Sequence, residues 1–224
     1  MFKTELHCHS KAVSACSMTS AEQMRDIYVG AGYTTVVLTN HFSVYTYMHL
    51  QCKNWQEFVD RFIYGYTELK KISEGQLEIL YAIELHPSDS PNDYLMYGAE
   101  EEFLRSNPFL YEKSPEELSK IARENGILFI QAHPFRDGMR MTNPALLDGV
   151  EVYNGSAGGH YGTDSRNDIS KAYAAKFEFI TTSGTDLHYP NDEISGGILT
   201  EEKITSISQL IEILKSGSYR LLQK

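Results

Sequence analysis

The sequence predicts an α/β protein whose parallel strands close into a TIM-like barrel, and three observations carry that prediction. Apolar runs of strand length alternate with helical patterns along the whole chain, with no composition break, repeat or low-complexity segment. Successive runs end at polar residues: His9, His41, Glu84, His133, Asn154 and Asp186 in turn. The number of β-then-α units suits closure better than an open sheet, and parallel barrels gather their chemistry at the C-terminal ends of the strands.

The first strand leads into Leu6-His7-Cys8-His9. Strand side chains alternate faces, so His7 and His9 point the same way and Cys8 the other. Ser20-Ala21-Glu22-Gln23 is a capping box opening a helix with Met24, Ile27, Tyr28 and Ala31 at helical spacing, closed by Gly32. Residues 34–39 form a buried parallel strand that delivers Asn40 and His41. Residues 42–52 are predicted as an aromatic loop, and Asn54 with Glu57 caps a helix carrying Trp55, Phe58, Phe62 and Leu69. The run from Leu77 to Ile83 delivers Glu84 and His86, and residues 94–98 form a short strand behind the turn formers Pro91 and Asn92. Glu100-Glu101-Glu102 is a solvated helix start, where negative charge suits the dipole. Ser114-Pro115-Glu116-Glu117 is the clearest helix start in the chain, and that helix runs to Gly126. Residues 127–130 then lead into Gln131 and His133. Residues 149–153 end at Asn154, a helix covers 164–176, and residues 177–181 lead into Asp186 and His188. The tail, 204–222, is a helix followed by a short strand.

At 224 residues and 42% hydrophobic content, the chain can bury the core of one large domain spanning residues 1–224. Twenty basic against thirty acidic residues give a net charge of −10, which argues against general nucleic-acid binding. Three cysteines without CxxC spacing predict no disulfide framework and a reducing compartment, most simply the cytoplasm. No 18-residue apolar run or signal-peptide pattern is present, so no membrane partner is expected.

His7, His9, His41, Glu84, His133, Asp186 and His188 are seven candidate ligands, more than one tetrahedral ion can use, so two or three ions are expected. Imidazole and carboxylate donors suit Zn, Mn or Fe, and Glu84 and Asp186 are natural bridging groups. Ions about 3.5–4 Å apart lower the pKa of a shared water and clamp the attacking and departing oxygens of a phosphoryl group, so metal-dependent phosphoester hydrolysis is the favoured chemistry.

The order HxH, T-x-H after the second strand, E, A-H-P and G-T-D-x-H resembles the PHP (polymerase and histidinol phosphatase) family of metal-dependent phosphoesterases, over the chain from about Leu6 to His188. The resemblance implies a distorted (β/α)7 barrel of PHP type holding two or three divalent ions, with a small-molecule phosphoester as substrate. It places His7, His9, Glu84 and Asp186 at a first metal position, Glu84 and His133 at a second, and His41 and His188 at a third. This chain departs from the family in three places. Ser14-Ala15-Cys16 stands where Ser-Asp-Gly is frequent, Asn40 replaces a frequent Asp before His41, and no imidazole lies near Tyr97-Gly98, where many members supply a second-site ligand.

Other residues carry weaker signals. Arg136 can give paired hydrogen bonds to a substrate phosphate, with a surface ion pair as its alternative. Asn154 can reach substrate or serve only the turn, and His160 is a candidate general acid or a loop histidine with no such duty. His86 is expected to support the ligands without joining them. Cys16 is a candidate replacement ligand or an unused loop thiol. Phe42, Tyr45, Tyr47 and His49 form either a lid or packing at the barrel top. Hydrolysis of a small phosphomonoester or nucleotide-type phosphoester is the expected activity, with histidinol phosphatase as a narrower alternative. A C–N amidohydrolase fits less well, because Glu84 stands where those enzymes usually need a lysine. A noncatalytic metal-binding regulatory module remains the rival from another class.

Overall fold

A computed structural model describes residues 1–156 and 166–223. In chain order its elements are β1 (Phe2–Glu5), α1 (Ala21–Gly30), β2 (Thr35–Leu38), β3 (His41–Phe42), α2 (Val44–His49), α3 (Trp55–Ile72), β4 (Glu78–Tyr81), β5 (Ile83–Leu85) and β6 (Tyr94–Tyr97). There follow α4 (Glu101–Ser106), α5 (Pro115–Glu124), β7 (Leu128–Gln131), β8 (Gly149–Asn154), α6 (Asn167–Ala174), β9 (Ile180–Gly184), β10 (Ile198–Thr200), α7 (Ile207–Ser216) and β11 (Arg220–Leu221).

The helix starts form where local chemistry favours them. Ser20 and Ser114 each accept from the backbone N–H three residues on, while Gln23 and Glu117 reach back to the cap N–H. Asn54 caps α3 through Glu57 N. One expectation is corrected: the aromatic stretch after Phe42 is not a plain loop. Ser43 accepts from Thr46 N and starts the six-residue helix α2.

The strands form two hydrogen-bonded sheets, β11-β10-β1-β2-β4 and β3-β5-β6-β7-β8-β9. The two sheets share ribbons, because β2 runs through Asn40 into β3 and β4 runs through Ala82 into β5. The single strand expected to lead into Glu84 is thus two segments in different sheets. Among the described residues the ring comprises β1, β2 with β3, β4 with β5, β6, β7, β8 and β9. It closes at one end by a parallel bridge between Cys8 and Leu187, with His9 N donating to Leu187 O and Asp186 N to His7 O. At the base of β1 the same edge is occupied by antiparallel β10, which carries β11. The result is a distorted seven-ribbon barrel.

The short connection between β5 and β6 decides the site. It contains no helix, so it cannot make the crossover a parallel strand needs, and β6 pairs antiparallel with both β5 and β7. Its N-terminal end therefore lies at the same mouth as the C-terminal ends of its neighbours. Ala132 N donates to Asp93 O there, one residue before β6.

Apolar packing surrounds this ring. Phe42, Trp55, Phe58, Phe62, Tyr94 and Phe129 belong to one buried cluster, and Leu6, Leu95, Leu128, Ile130 and Leu210 to another. Among the described residues no helix is long and apolar enough to cross a membrane.

Candidate metal centre

His7 and His9 leave the top of β1 on one face, fully buried, with their Nε2 atoms 3.2 Å apart. Glu5 lies on the same face two residues earlier. Its Oε1 accepts from Leu6 N, His7 N and Thr185 N, tying β1 to the segment that carries Asp186. A Cβ at Gly184 would lie 2.2 Å from His7 Cβ, so only glycine lets β9 pass this close.

Around the two imidazoles the other candidate ligands converge. His7 Nε2 is 3.1 Å from Glu84 Oε1 and 3.4 Å from Asp186 Oδ1, and His9 Nε2 is 3.0 Å from Asp186 Oδ1. Glu84, at the centre of β5, also meets His133 Nε2 at 3.1 Å and His41 Nδ1 at 2.8 Å. Four sets of three have ligand atoms within 4.8 Å of one another: His7, His9 and Asp186; His7, Glu84 and His133; His41, Glu84 and Asp93; and His9, His41 and His188. All seven sequence-predicted ligands thus meet at one mouth. His133 (φ 26°) and Asp186 (φ 56°) adopt left-handed backbone, strain of the kind that concentrates at working sites. Their amides are held by Glu151 Oε2 and His7 O respectively.

Two tests show that the cluster fits a cation. Glu84 Oε2 is buried only 2.8 Å from His41 Nδ1 and 3.3 Å from His9 Nε2, yet no N–H points at it in hydrogen-bond geometry. A cation held between such closely crowded nitrogen and oxygen atoms would satisfy them together. The donor set, imidazole with carboxylate, is the one borderline divalent ions select. His7 Nδ1 sits 2.9 Å from Glu151 Oε1, so only Nε2 remains and His7 can serve a single ion. Asp186 is split in the same way: Oδ2 takes Arg136 Nη2 at 2.6 Å and Asn154 Nδ2 at 3.2 Å, leaving Oδ1 toward the imidazoles.

The protonation pattern follows from this crowding. Burial opposes charge on His7, but Asp186, Glu151 and Glu84 outweigh it and hold the imidazole well above the usual histidine range. His9 is driven well below that range by burial first, then by His41 and His188. Burial also works against the charged forms of Glu84 and Asp186, yet the surrounding imidazoles, His7 foremost, keep both well below the ordinary carboxylate value. For the Cys16 thiol, burial acts upward, but hydrogen bonds with His188 and His41 win and bring it to about 6.

Two residues at the mouth, Asp93 and Glu151, were not singled out by sequence reasoning. Asp93 places Oδ1 2.8 Å from His86 Nδ1 and Oδ2 3.8 Å from His133 Nε2, supplying a carboxylate where an imidazole was missed near Tyr97. The turn signal of Pro91-Asn92 concealed it. Glu151 binds His7, His133 N and Asn154 together. Its signal was a charge inside an apolar strand, and a bulge between Glu151 and Tyr153 turns Asn154 to the same side. Asn40 accepts from Ser10 N at 2.7 Å and from Ser14 Oγ at 3.1 Å, so it fastens the loop after His9. Arg136 lies at the mouth, its Nη2 also 2.9 Å from Asn154 Oδ1, and its buried Nε has no partner among the described residues. His86 Nδ1 lies 2.8 Å from Asp93 Oδ1. Phe42 is core, whereas Tyr45 is 70% exposed beside the opening. His160 lies outside the described residues.

No protein-family model and no curated protein sequence matches the chain. Solved structures do. A two-domain protein from Bacteroides vulgatus containing a predicted PHP-like metal-dependent phosphoesterase superposes with a TM-score of 0.69 at 14% identity, over 99% of this chain and 64% of that one. PsfC from Pseudomonas syringae matches with a TM-score of 0.66 at 12% identity, over 94% of this chain and 87% of the other. The lesion-specific endonuclease EndoQ from Pyrococcus furiosus matches at 0.60 and 14% identity, over 98% of this chain and 57% of that one. The chain thus has the fold of the PHP-like phosphoesterases, spans somewhat under two thirds of the length of the Bacteroides protein, and carries a His/Glu/Asp cluster able to bind metal.

Proposed function

We propose that the chain is a PHP-family metal-dependent phosphoesterase that hydrolyses a small phosphomonoester or nucleotide-type phosphoester. The observation that carries this reading is the convergence of His7, His9, His41, Glu84, Asp93, His133, Asp186 and His188 on one buried mouth of a PHP-type barrel. His7, His9 and Asp186 would hold one ion, Glu84 with His133 and Asp93 a second, and His41 with His188 a third. Such ions acidify water and polarise phosphoryl oxygens when bound.

The protein's own groups position and brace. Glu151 fixes the His7 ring and the His133 backbone, and Arg136 holds Asp186 in its one-oxygen orientation. Arg136 also brings positive charge to a mouth dominated by carboxylates, where its remaining N–H groups would orient a phosphate oxygen. Asn154, hydrogen-bonded to both Arg136 and Asp186, would keep that guanidinium aimed. Beside the cluster opens a cavity of about 320 Å³ lined by Cys16, His41, Ser43, Tyr45, Thr46 and His86. That volume accommodates a small organic leaving group.

EndoQ is an endonuclease, which makes a nucleic-acid strand the competing substrate. The net charge of −10 favours a small molecule. The unpaired Cys8, Cys16 and Cys52 suit a reducing compartment such as the cytoplasm. Protein loaded with Mn, Zn or Fe should hydrolyse p-nitrophenyl phosphate or a nucleoside monophosphate. Absence of turnover at full loading with each metal would overturn the enzymatic reading in favour of a regulatory module.

A further inference from the structure

The candidate cation positions of the cluster differ in their donors. His7, His9 and Asp186 bring two imidazoles and one carboxylate, whereas His41, Glu84 and Asp93 bring one imidazole and two carboxylates. In the second set His41 Nδ1 lies 2.8 Å from Glu84 Oε2, the buried oxygen that has no hydrogen-bond partner among the described residues.

The two sets also differ in access. His7, His9 and Asp186 are buried, while the side chain of His41 is 27% exposed and that of Asp93 10%. His41 and Asp93 line the 320 Å³ cavity together with His86. Three protein donors beside an opening leave room for water or substrate oxygens to fill the remaining places of a six-coordinate ion. The enclosed set suits a four-coordinate one.

His86 governs how Asp93 is presented. Its Nδ1 lies 2.8 Å from Asp93 Oδ1, while Asp93 Oδ2 faces His133 Nε2 at 3.8 Å. One carboxylate oxygen is thereby occupied and the other left toward the cluster, as Arg136 does for Asp186. The backbone is held too, since Asp93 O accepts from Ala132 N.

We propose that His41, Glu84 and Asp93 form an oxygen-rich position that selects manganese over zinc relative to the enclosed position of His7, His9 and Asp186, with His86 as the positioning residue for Asp93. Carboxylate oxygens and space for a six-coordinate shell suit the harder ion, and imidazoles in a closed site suit zinc. An imidazole in place of Asp93 would remove both a negative charge and that preference. This inference rests on the metal-cluster reading above, and its test separates the two.

Metal-free protein is dialysed to equilibrium against zinc sufficient to fill every position together with a large excess of manganese. The bound metals are then counted, and manganese is also followed by electron paramagnetic resonance. The wild type should hold both metals. Asp93→His should exchange its manganese for zinc, and the isosteric Asp93→Asn should lose manganese and keep zinc. His86→Ala should weaken manganese binding by roughly 10–100-fold with the zinc count unchanged, and His86→Asn, whose amide can replace the Nδ1–H donor, should restore it. Cys52→Ser should change neither metal. A wild type that holds a single kind of metal, or an Asp93→His variant that keeps its manganese, overturns the selectivity and leaves the cluster standing. A His86→Ala variant with unaltered manganese affinity overturns the positioning role. A chain that takes up neither metal overturns both the inference and the cluster.

Discussion

Two neighbours in one short strand belong to different worlds. His41 and Phe42 make up β3, yet His41 turns to the imidazole and carboxylate mouth while Phe42 enters an aromatic shell with its ring 5.0 Å from Phe58 and 5.7 Å from Trp55. The shell is held by area buried from water, which has no preferred direction and tolerates rearrangement. The mouth depends on a few aimed atoms, and it concentrates buried groups whose mutual repulsion must be relieved by protons or cations. One region stabilises the barrel, and the other spends that stability on a site.

The contrast can be tested by breaking each side separately. The largest effect is expected at Glu84, shared among imidazoles of separate ligand sets. Glu84→Ala should lower phosphatase activity by on the order of 10³-fold or more with loss of bound metal, read by turnover and metal analysis. A loss under tenfold would show that the mouth is not the reaction centre. On the apolar side, Phe58→Ala should cost about 3–5 kcal/mol of stability by removing a ring packed on Phe42, Trp55 and Phe62. Calorimetry would register this as a lower Tm, with metal per folded chain unchanged.

Between these lies Glu151, which touches no predicted ion but orients His7. Glu151→Gln should weaken metal binding by roughly 10–100-fold, measured by chelator competition. Proton competition sharpens the comparison further. In the metal-free protein His7, His41 and His188 are held above the ordinary histidine value, His7 by its carboxylates against burial, so cations must displace protons there. Their contribution to metal-free stability is complete below the unfolded value of 6.5 and is lost as pH rises through the folded values. Glu84 and Asp186 act oppositely, stabilising above their unfolded values of 4.5 and 3.8 and losing that as pH falls through the depressed folded values. The Tm gained by adding metal should therefore widen as pH rises above 6.5, and a gap independent of pH would contradict the cluster electrostatics. The smallest effect belongs to Tyr45, at the rim and 70% exposed. Tyr45→Ala should move stability by no more than about 0.5 kcal/mol and appear, if the leaving group rests there, as a raised KM with little change in kcat.

What the sequence determined by itself was local in character. The capping serines at 20 and 114, the β-then-α rhythm and the seven candidate ligands at the ends of apolar runs were all legible, because a cap acts within one turn and strand alternation acts between adjacent residues. Glu151 is a charge inside an apolar strand and Glu5 ends the mixed strand Phe2–Glu5, but nothing in the neighbourhood of either says which residue it holds. The tertiary structure alone decided the direction of β6. A connection too short for a helical crossover reverses that strand and brings Asp93, not a residue near Tyr97, to the mouth. It also decided that Ser14 would join Asn40 and His41 while Ser17 joins His188, contacts that span up to 171 positions of sequence. Short-range propensity can be read from a string of residues. Which distant lone pairs share a centre depends on chain closure, and that exists only once the barrel has formed.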